Sequence, residues 1–136
     1  MSASAVIALR KAALAALTAD AVLADRLGDP RIYDEAPRAT RTPYLTLGDA
    51  SARDWSTSSD RATEQFLVIH VWSEHRGLRE ALDLAADAQR ILDDANLALE
   101  SHRLVSLRFI SLETRRDNNG RFARASLRFR ALTEPN

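Results

Sequence analysis

The most apolar stretch of the chain covers residues 64–73 and predicts a central β-strand. Successive side chains of a strand point to opposite faces of a sheet. One face of this strand would carry Phe66, Val68, His70 and Trp72, and the other Leu67, Ile69 and Val71. A short apolar run could also belong to a buried helix, but a separate helical pattern begins just after Gly77. We therefore expect a strand followed by a helix, with Trp72 in the core.

Three segments carry apolar residues at helical spacing or helix-capping signals, and they predict α-helices. The first covers residues 3–17 and is rich in alanine, which has the highest intrinsic helix propensity. The second covers residues 21–27, with Asp20 as its N-cap and Gly28 at its end. The third covers residues 78–95 and has a broad apolar face that would cover a sheet.

Four further segments predict β-strands. They are residues 31–34, 44–48, 103–115 and 121–132. The apolar residues of the third segment change parity along its length, so we expect a β-bulge near Phe109. The pair Asn119-Gly120 tolerates positive backbone dihedrals and predicts a tight hairpin turn before the last strand. His102 would lie in a turn.

This element order predicts an α+β fold. Its mainly antiparallel sheet would be packed by two long amphipathic helices, in the order α-β-β-β-α-β-β. The chain shows no internal repeat and no low-complexity tract, so we expect residues 1–136 to form a single domain.

The polar segment of residues 49–63 has no hydrophobic period and predicts a long loop. Loops of this length in compact domains are usually functional or disordered. The segment contains Trp55, which could fold back over its own domain or anchor a partner, because tryptophan is enriched in interface hot spots. A candidate interface would consist of Asp54, Trp55, Ser56 and Thr57.

Composition excludes some chemistry. The chain contains no cysteine, so disulfides, thiolate metal sites and cysteine nucleophiles are excluded. Its 19 basic and 19 acidic residues cancel, but the last 36 residues carry 8 basic and 3 acidic groups. Lys11 is the one lysine, so nearly all of the positive charge is carried by arginine, which suits pairing with carboxylates or phosphates. This preference for arginine could equally reflect genomic base composition.

No apolar stretch is long enough to span a bilayer and no signal peptide is evident, so we expect a soluble intracellular protein.

No motif for catalysis or metal binding stands out. His70 and His75 are five residues apart, which places them on opposite faces of an extended chain. Asp83 and Asp87 lie on the polar face of a predicted helix, where acids near arginines are routine. The motif Gly-x-Ser-x-Gly and Gly-rich phosphate loops are absent. We predict no catalytic, metal or cofactor-binding residues; the alternative is a small hydrolase whose site is assembled from distant residues.

Arginines alternate with apolar residues along the last predicted strand and suggest a basic face. The candidates for this face are Arg108, Arg124, Arg128 and Arg130. Such a stripe could bind nucleic acid or meet acids of another subunit, but a solvated or salt-bridged face is more common. Phe122 is the only nearby aromatic residue suited to base stacking, so we favour the salt-bridged face.

Several short motifs together resemble one known family. They are Leu9-Arg10-Lys11-Ala12-Ala13-Leu14 before Ala19-Asp20, Arg31-Ile32-Tyr33-Asp34, Pro43-Tyr44-Leu45, Asp54-Trp55-Ser56-Thr57, His70-Val71-Trp72-Ser73 and Phe129-Arg130-Ala131-Leu132-Thr133-Glu134-Pro135. In their order and spacing they resemble the tail-completion, or tail-terminator, proteins of siphophage-like particles, especially members encoded by bacterial gene transfer agents. The resemblance covers essentially the whole chain.

The resemblance implies a structural protein without enzymatic activity or cofactor. The family's subunits form a ring, expected to be a hexamer, that caps the tail tube and joins it to the head connector or stopper protein. DNA would pass through the lumen of this ring. The protein would assemble in the bacterial cytoplasm, away from membranes, and then belong to the tail of the particle. Residues 54–57 become candidates for a contact with a neighbouring subunit or the tail tube.

Overall fold

The computed structural model describes residues 2–136, which form three helices and seven strands. The helices are α1 (Ser2–Ala19), α2 (Ala21–Leu27) and α3 (Arg79–Leu92). The strands are β1 (Ile32–Tyr33), β2 (Tyr44–Leu47), β3 (Ser51–Asp54), β4 (Thr63–Ser73), β5 (Ala98–Leu99), β6 (His102–Asp117) and β7 (Phe122–Pro135). The fold is α+β with a mostly antiparallel sheet, as predicted, and the predicted element order is roughly matched: the order leaves out α2, which was predicted separately at residues 21–27, and the unpredicted short strands β3 and β5.

The helices lie where the sequence predicts them, and local chemistry explains their ends. The Oδ1 atom of Asp20 accepts a hydrogen bond from the backbone N–H of Leu23 at 3.0 Å, which caps α2. Gly28 ends α2 with a φ of 77°, a left-handed conformation that favours glycine. Helix α3 ends at Leu92, three residues earlier than predicted, and Asp94 just beyond it has a positive φ of 59°.

The strands form one sheet in the order β1-β2-β4-β7-β6-β5, with β3 also paired to β4. β4 is the central strand, because it pairs with β7 along its length and with β2 and β3 on its other edge. The pairing of β1 with β2 is parallel, and the other described pairings are antiparallel. The prediction of a central strand over residues 64–73 is confirmed.

The prediction of one long loop over residues 49–63 is wrong, because the segment contains β3. This strand folds back along β4 as a hairpin, with Ser51 opposite Phe66 and Asp54 opposite Thr63. All four side chains of β3 are exposed, so no alternation of buried and polar residues marks it in the sequence. The loop is confined to residues 55–62, which form the hairpin tip.

The pairing of β6 with β7 is irregular in the predicted place. Its register shifts between Phe109 and Ser111, which confirms the expected bulge near Phe109. A second shift separates Leu104 from Ser106. The prediction that His102 lies in a turn is wrong, because it is the first residue of β6 and pairs with Pro135.

The turn between β6 and β7 has the predicted chemistry. Asp117 and Phe122 form the last cross-strand pair, and the backbone N–H of Arg121 donates to the Asn118 carbonyl at 3.1 Å. The two residues inside this hydrogen-bonded turn, at positions 119 and 120, have φ values of 56° and 84°. A type I′ turn requires positive φ at both of these positions.

The helices cover one face of the sheet and bury its aliphatic side chains. The buried residues of this helix-covered face include Leu67, Ile69, Val71, Ala123, Ala125, Leu127, Phe129 and Ala131. Their helical partners in the core include Leu9, Ala13 and Leu17 of α1 and Ala81, Leu84, Ala85, Ala88 and Leu92 of α3. The alternation predicted for β4 and β7 is therefore confirmed. We call the opposite side of the sheet the open face.

Candidate functional site

The open face brings together most of the residues singled out from the sequence. Cross-strand pairing places Arg130 opposite Phe66, Arg128 opposite Val68 and Arg124 opposite Trp72. The arginines of β7 therefore lie beside the aromatic residues of β4. This interleaving is absent from the linear sequence, because the aromatic residues belong to a different strand.

Three guanidinium groups of the open face lie over aromatic rings. The Arg128 guanidinium is 4.2 Å from the centre of the Phe66 ring, and that of Arg124 is 5.5 Å from the Trp72 ring. Arg130 lies 5.3 Å from the ring of Trp55. These distances are within the range of cation–π attraction. The prediction that Phe122 is the only aromatic residue among the arginines is wrong in three dimensions.

A buried carboxylate joins the arginines to the β3–β4 hairpin. Glu64 accepts hydrogen bonds from Arg130 Nε at 2.6 Å and from Arg53 Nε at 2.5 Å. Its side chain is only 4% exposed. The hydrogen bond from Arg130, supported by Arg53, lowers the pKa of Glu64. One carboxylate therefore holds two arginines from different strands in place.

Trp55 lies against these two arginines. The Arg53 guanidinium is 4.9 Å from its ring centre, and Arg130 approaches the same ring. The side chain folds back over its own sheet, which was one of the two alternatives. It nevertheless stays 44% exposed, so a large part of the indole is accessible to a partner.

The hairpin tip is ordered by its own polar side chains. Asp54 Oδ1 accepts two hydrogen bonds from Ser56, one from the hydroxyl at 2.6 Å and one from the backbone N–H at 3.3 Å. The hydroxyl hydrogen bond is the largest cause of the lowered pKa of Asp54. The Thr57 backbone N–H donates to the Asp60 carbonyl at 2.8 Å. The candidate residues 54–57 therefore form one exposed, internally hydrogen-bonded projection.

Most of the candidate basic face is already paired with acids. Besides the contact between Arg130 and Glu64, Arg124 Nε lies 3.2 Å from Asp117, and Arg108 Nε lies 3.5 Å from Asp93. Arg128 has no carboxylate within ion-pair distance among residues 2–136. Strand pairing places Arg108 opposite Arg130, so all four arginines lie on the open face, and the Arg108 side chain extends to Asp93 at the end of α3.

Trp72 is half-buried on the open face, so its predicted place in the core is wrong. Its ring stacks on Tyr44 with centroids 6.1 Å apart, and its Nε1–H donates to Thr46 Oγ1 at 3.0 Å. His70, also half-buried, has its Nδ1 atom 2.7 Å from Ser126 Oγ. Burial lowers the pKa of His70, and the charge of Arg124 lowers it further. Both residues contribute packing and hydrogen bonds to the sheet.

The open face and the hairpin tip expose charged and aromatic side chains. No group of three or more potential metal ligands occurs among residues 2–136. His75 lies 3.4 Å from Glu80 and is separate from His70. An open surface depression of about 640 Å³ is lined by the hairpin tip together with Asp54, Thr63 and Pro135. In the described part of the chain, no helix has the length and apolarity needed to cross a membrane.

Residues 11–134 match the family of tail completion proteins gp17, and the chain belongs to this family. A chain in a solved structure of the virion of a native gene transfer agent particle is 34% identical to it, with a TM-score of 0.88. The match covers 96% of this chain and 98% of that chain. A search of curated protein sequences finds no match.

These comparisons confirm the resemblance seen in the sequence motifs. The protein has a structural role in tail assembly and is not an enzyme. The small-hydrolase alternative is therefore wrong.

Proposed function

We propose that the protein is a tail terminator. It forms a closed ring, which we expect to be a hexamer, on the end of the tail tube of a gene transfer agent or related phage-like particle. The ring stops growth of the tube and joins it to the head connector or stopper protein. The DNA of the particle passes through the ring lumen.

The observation that carries this proposal is the near full-length similarity to a chain of a gene transfer agent virion, within a tail-completion family. The structure is compatible with a ring for a physical reason. Its sheet has edge strands on both sides, and such edges are normally protected or paired. In a cyclic head-to-tail arrangement, one edge of each subunit's sheet contacts the opposite edge of the next subunit, so a single repeated contact protects both edges.

We further propose that residues 1–136 act as one domain, assembled in the bacterial cytoplasm before the protein becomes part of the tail. One core cluster supports this proposal, because it contains residues of α1, α2, α3 and the central strands. Residues 54–57, at the end of β3 and the start of the hairpin tip, would contact a neighbouring subunit or the tail tube. Their exposed tryptophan supports that role, since tryptophan is enriched in interface hot spots.

Electron microscopy of particles made without the protein tests the proposal. We expect tails of uncontrolled length or heads without attached tails, because nothing would stop tube growth or complete the junction. Supplying the wild-type gene in trans should restore both features. Attached tails of normal length in the absence of the protein would contradict the proposal.

A variant of the hairpin tip tests its role separately. Trp55→Ala should reduce the fraction of complete particles while leaving the protein folded, because the side chain is partly exposed. Leu78→Ala is the matched control, since Leu78 is another exposed large hydrophobic residue and lies away from the hairpin. Equal particle yields for the two variants would argue against a contact at the tip.

The second candidate function is nucleic-acid binding by the open face. The interleaved arginines and aromatic rings favour it, because stacking and charge together bind single strands. Against it, Arg124 and Arg130 are engaged with acids of their own chain. A ring whose lumen is lined by this face would combine both functions.

Salt-dependent DNA binding by the purified protein tests this second candidate. Neutralising Arg128, which has no acidic partner in the described chain, should weaken binding and lower the salt slope by about one. Arg124→Ala and Arg130→Ala should weaken it further. Arg79→Ala on the exposed side of α3 is the control. Binding that is undetectable at low salt, or equally affected by all these variants, would contradict it.

A further inference from the structure

The outer edge of β6 is largely unpaired. β5 pairs only with the first two residues of β6, His102 and Arg103. The segment after α3 covers the next part: the Asp94 backbone N–H donates to the Leu107 carbonyl at 2.8 Å, and Asp93 Oδ1 accepts from the Phe109 N–H at 2.9 Å. Beyond residue 109, no described strand pairs with this edge. An open edge of this kind can add a further strand or chain.

Exposed apolar side chains accompany this edge. Val105, Ile110 and Leu112 are 46%, 47% and 40% exposed, respectively. They all belong to β6: Ile110 and Leu112 are two residues apart on the uncovered part of the edge, and Val105 lies further back along the strand. Clustered exposed apolar residues mark interaction sites, whereas isolated ones are normal. The edge therefore has the composition of an interface as well as unpaired backbone groups.

Arg115 supplies an unpaired charge on the same strand. It is exposed and has no carboxylate within ion-pair distance among the residues that the structure describes. Its cross-strand neighbour Arg124 takes the nearby carboxylate of Asp117. Arg115 is thus a cation at the sheet edge that is available for an acid from outside the molecule.

The opposite edge of the sheet has a complementary cleft. This cleft, about 370 Å³, is lined by the acids Asp34, Glu35 and Asp49 together with Tyr44 and Trp72. Arg10 pairs with Asp34 at 2.5 Å. Glu35 and Asp49 are exposed and have no ion-pair partner in residues 2–136. Carboxylates beside stacked aromatic rings form a suitable environment for a guanidinium group.

The cleft and Arg115 lie on one row of the sheet. Cross-strand pairing connects Tyr44 to Trp72, Trp72 to Arg124, and Arg124 to Arg115. The row therefore runs from the cleft at one edge to the unpaired arginine at the other. In a cyclic head-to-tail ring, neighbouring copies are related by a rotation about the ring axis, without any translation along that axis. If the rows of the sheet run around the ring, the two ends of one row lie at the same height. The group at one end of the row can then meet the group at the other end of the same row in the neighbouring copy.

We propose that the β6 edge of one copy docks against the β1–β2 edge of the next copy, with Arg115 entering the cleft between Glu35 and Asp49. The occupant of both surfaces is thus a second copy of this chain. Charge complementarity and the exposed apolar residues of β6 support this choice over an unrelated partner. The proposal rests on the ring of the proposed function and names the contact that closes it.

Cysteine cross-linking tests the contact, because the natural chain has no cysteine. The double variant Asp49→Cys/Arg115→Cys, treated with a short bismaleimide, should give a ladder of covalent multimers in the purified protein or in isolated particles. Each single variant should give no ladder, since the two sites lie on different surfaces. The pair Ala86→Cys/Arg115→Cys is the control, with one cysteine on the exposed side of α3.

A charge exchange tests the same contact without cross-linking. Arg115→Glu and Asp49→Arg should each weaken self-association by roughly tenfold or more, because each places like charges together. The double variant Asp49→Arg/Arg115→Glu should recover most of the wild-type affinity. Asp25→Arg is the control, because Asp25 is exposed on α2 and has no ion pair in the described chain. Sedimentation equilibrium measures these affinities.

The outcomes separate this contact from the ring itself. A wild-type ring with no ladder and no effect of charge reversal overturns the proposed contact and leaves the tail-terminator proposal intact. A ladder and recovery by the double exchange support the contact. A wild-type protein that stays monomeric in solution and in particles contradicts the contact and the ring together.

Discussion

The two faces of the central sheet use the same strands in different ways. On the helix-covered face, Leu67, Ile69 and Phe129 are buried among aliphatic residues of α1 and α3. On the open face, Glu64 accepts hydrogen bonds from Arg53 and Arg130. The ring of Phe66 lies beneath the guanidinium group of Arg128. One face is a dry core, and the other is a partly exposed network of charges and rings.

The difference shows how stability and recognition are divided in this protein. Burial of apolar area is non-directional, and it is the main source of folding free energy. Hydrogen bonds and ion pairs add less net stability but need specific geometry. The open face therefore positions side chains that remain accessible, which suits contact with other proteins or nucleic acid. Variants on each face should separate these two contributions.

The largest expected effect comes from the helix-covered face. Phe129→Ala should lower the free energy of unfolding by about 3 to 5 kcal/mol, because Phe129 is fully buried and its loss leaves a cavity. Phe66→Ala, on the open face, should cost only about 1 to 2 kcal/mol, since its ring is partly exposed beneath Arg128. Urea unfolding measures both. If both variants lost the same free energy of unfolding, the proposal that the helix-covered face provides most of the stability would be contradicted.

A substitution at Gly48 tests how closely the backbone at this position approaches Val68 and His70 on the open face. A Cβ atom at this position would lie 2.7 Å from Val68 Cγ1 and 2.8 Å from His70 Nε2. Gly48→Ala should therefore destabilise the protein by about 1 to 3 kcal/mol through overpacking. The matched control is Gly77→Ala, because a Cβ atom there would meet nothing within 4 Å. A control that is as damaging as Gly48→Ala would rule out the steric explanation.

Glu64→Gln should destabilise the protein less than Phe129→Ala, and by an amount that depends on pH. The folded pKa of Glu64 is lowered, so its ionised form stabilises the fold above the unfolded pKa of about 4.3. This contribution is lost as the pH falls through the folded pKa. The difference between wild type and variant should therefore be largest near neutral pH and shrink in acid. Glu113→Gln, an exposed change on β6, is the control, and urea unfolding from neutral pH into acid below the unfolded pKa measures the difference.

Asp20 gives the corresponding test in the helix layer. Its hydrogen bonds with Arg90, at 2.9 and 3.0 Å, and with the Leu23 N–H lower its pKa from 3.8 to about 2. Its stabilising contribution should thus be complete above about pH 4 and disappear towards pH 2. Asp20→Asn should remove this part of the pH dependence. An unchanged acid unfolding profile would show that the ion pair contributes nothing measurable.

The smallest effect on stability should come from Trp55. Trp55→Ala removes contacts with Arg53 and Arg130 from a ring that is 44% exposed, and it should cost about 1 kcal/mol or less. Thermal unfolding of the purified variant measures this change. A much larger loss would mean that the tryptophan is a structural support of the hairpin, which would weaken the case for a partner contact there.

The elements with strong local signals were predictable from the sequence. The central strand, α2 with its Asp20 cap, the bulge near Phe109 and the Asn119-Gly120 turn were all predicted, because periodicity and special dihedrals report on neighbouring residues. β3 was missed, since its four side chains are exposed and its position depends on backbone pairing with β4. The candidate residues of the open face were named, but their contacts were not.

The sequence by itself determined which residues of β4 and β7 share a face and where the helices lie, with their ends placed to within three residues. It also contained the motifs of the tail-completion family. Only the tertiary structure decided that Trp72 lies on the open face, that Glu64 holds Arg53 and Arg130, and that aromatic rings lie beneath the arginines. The physical reason is that alternation along a strand is local, whereas strand neighbours and the face that the helices cover are set by contacts between distant segments.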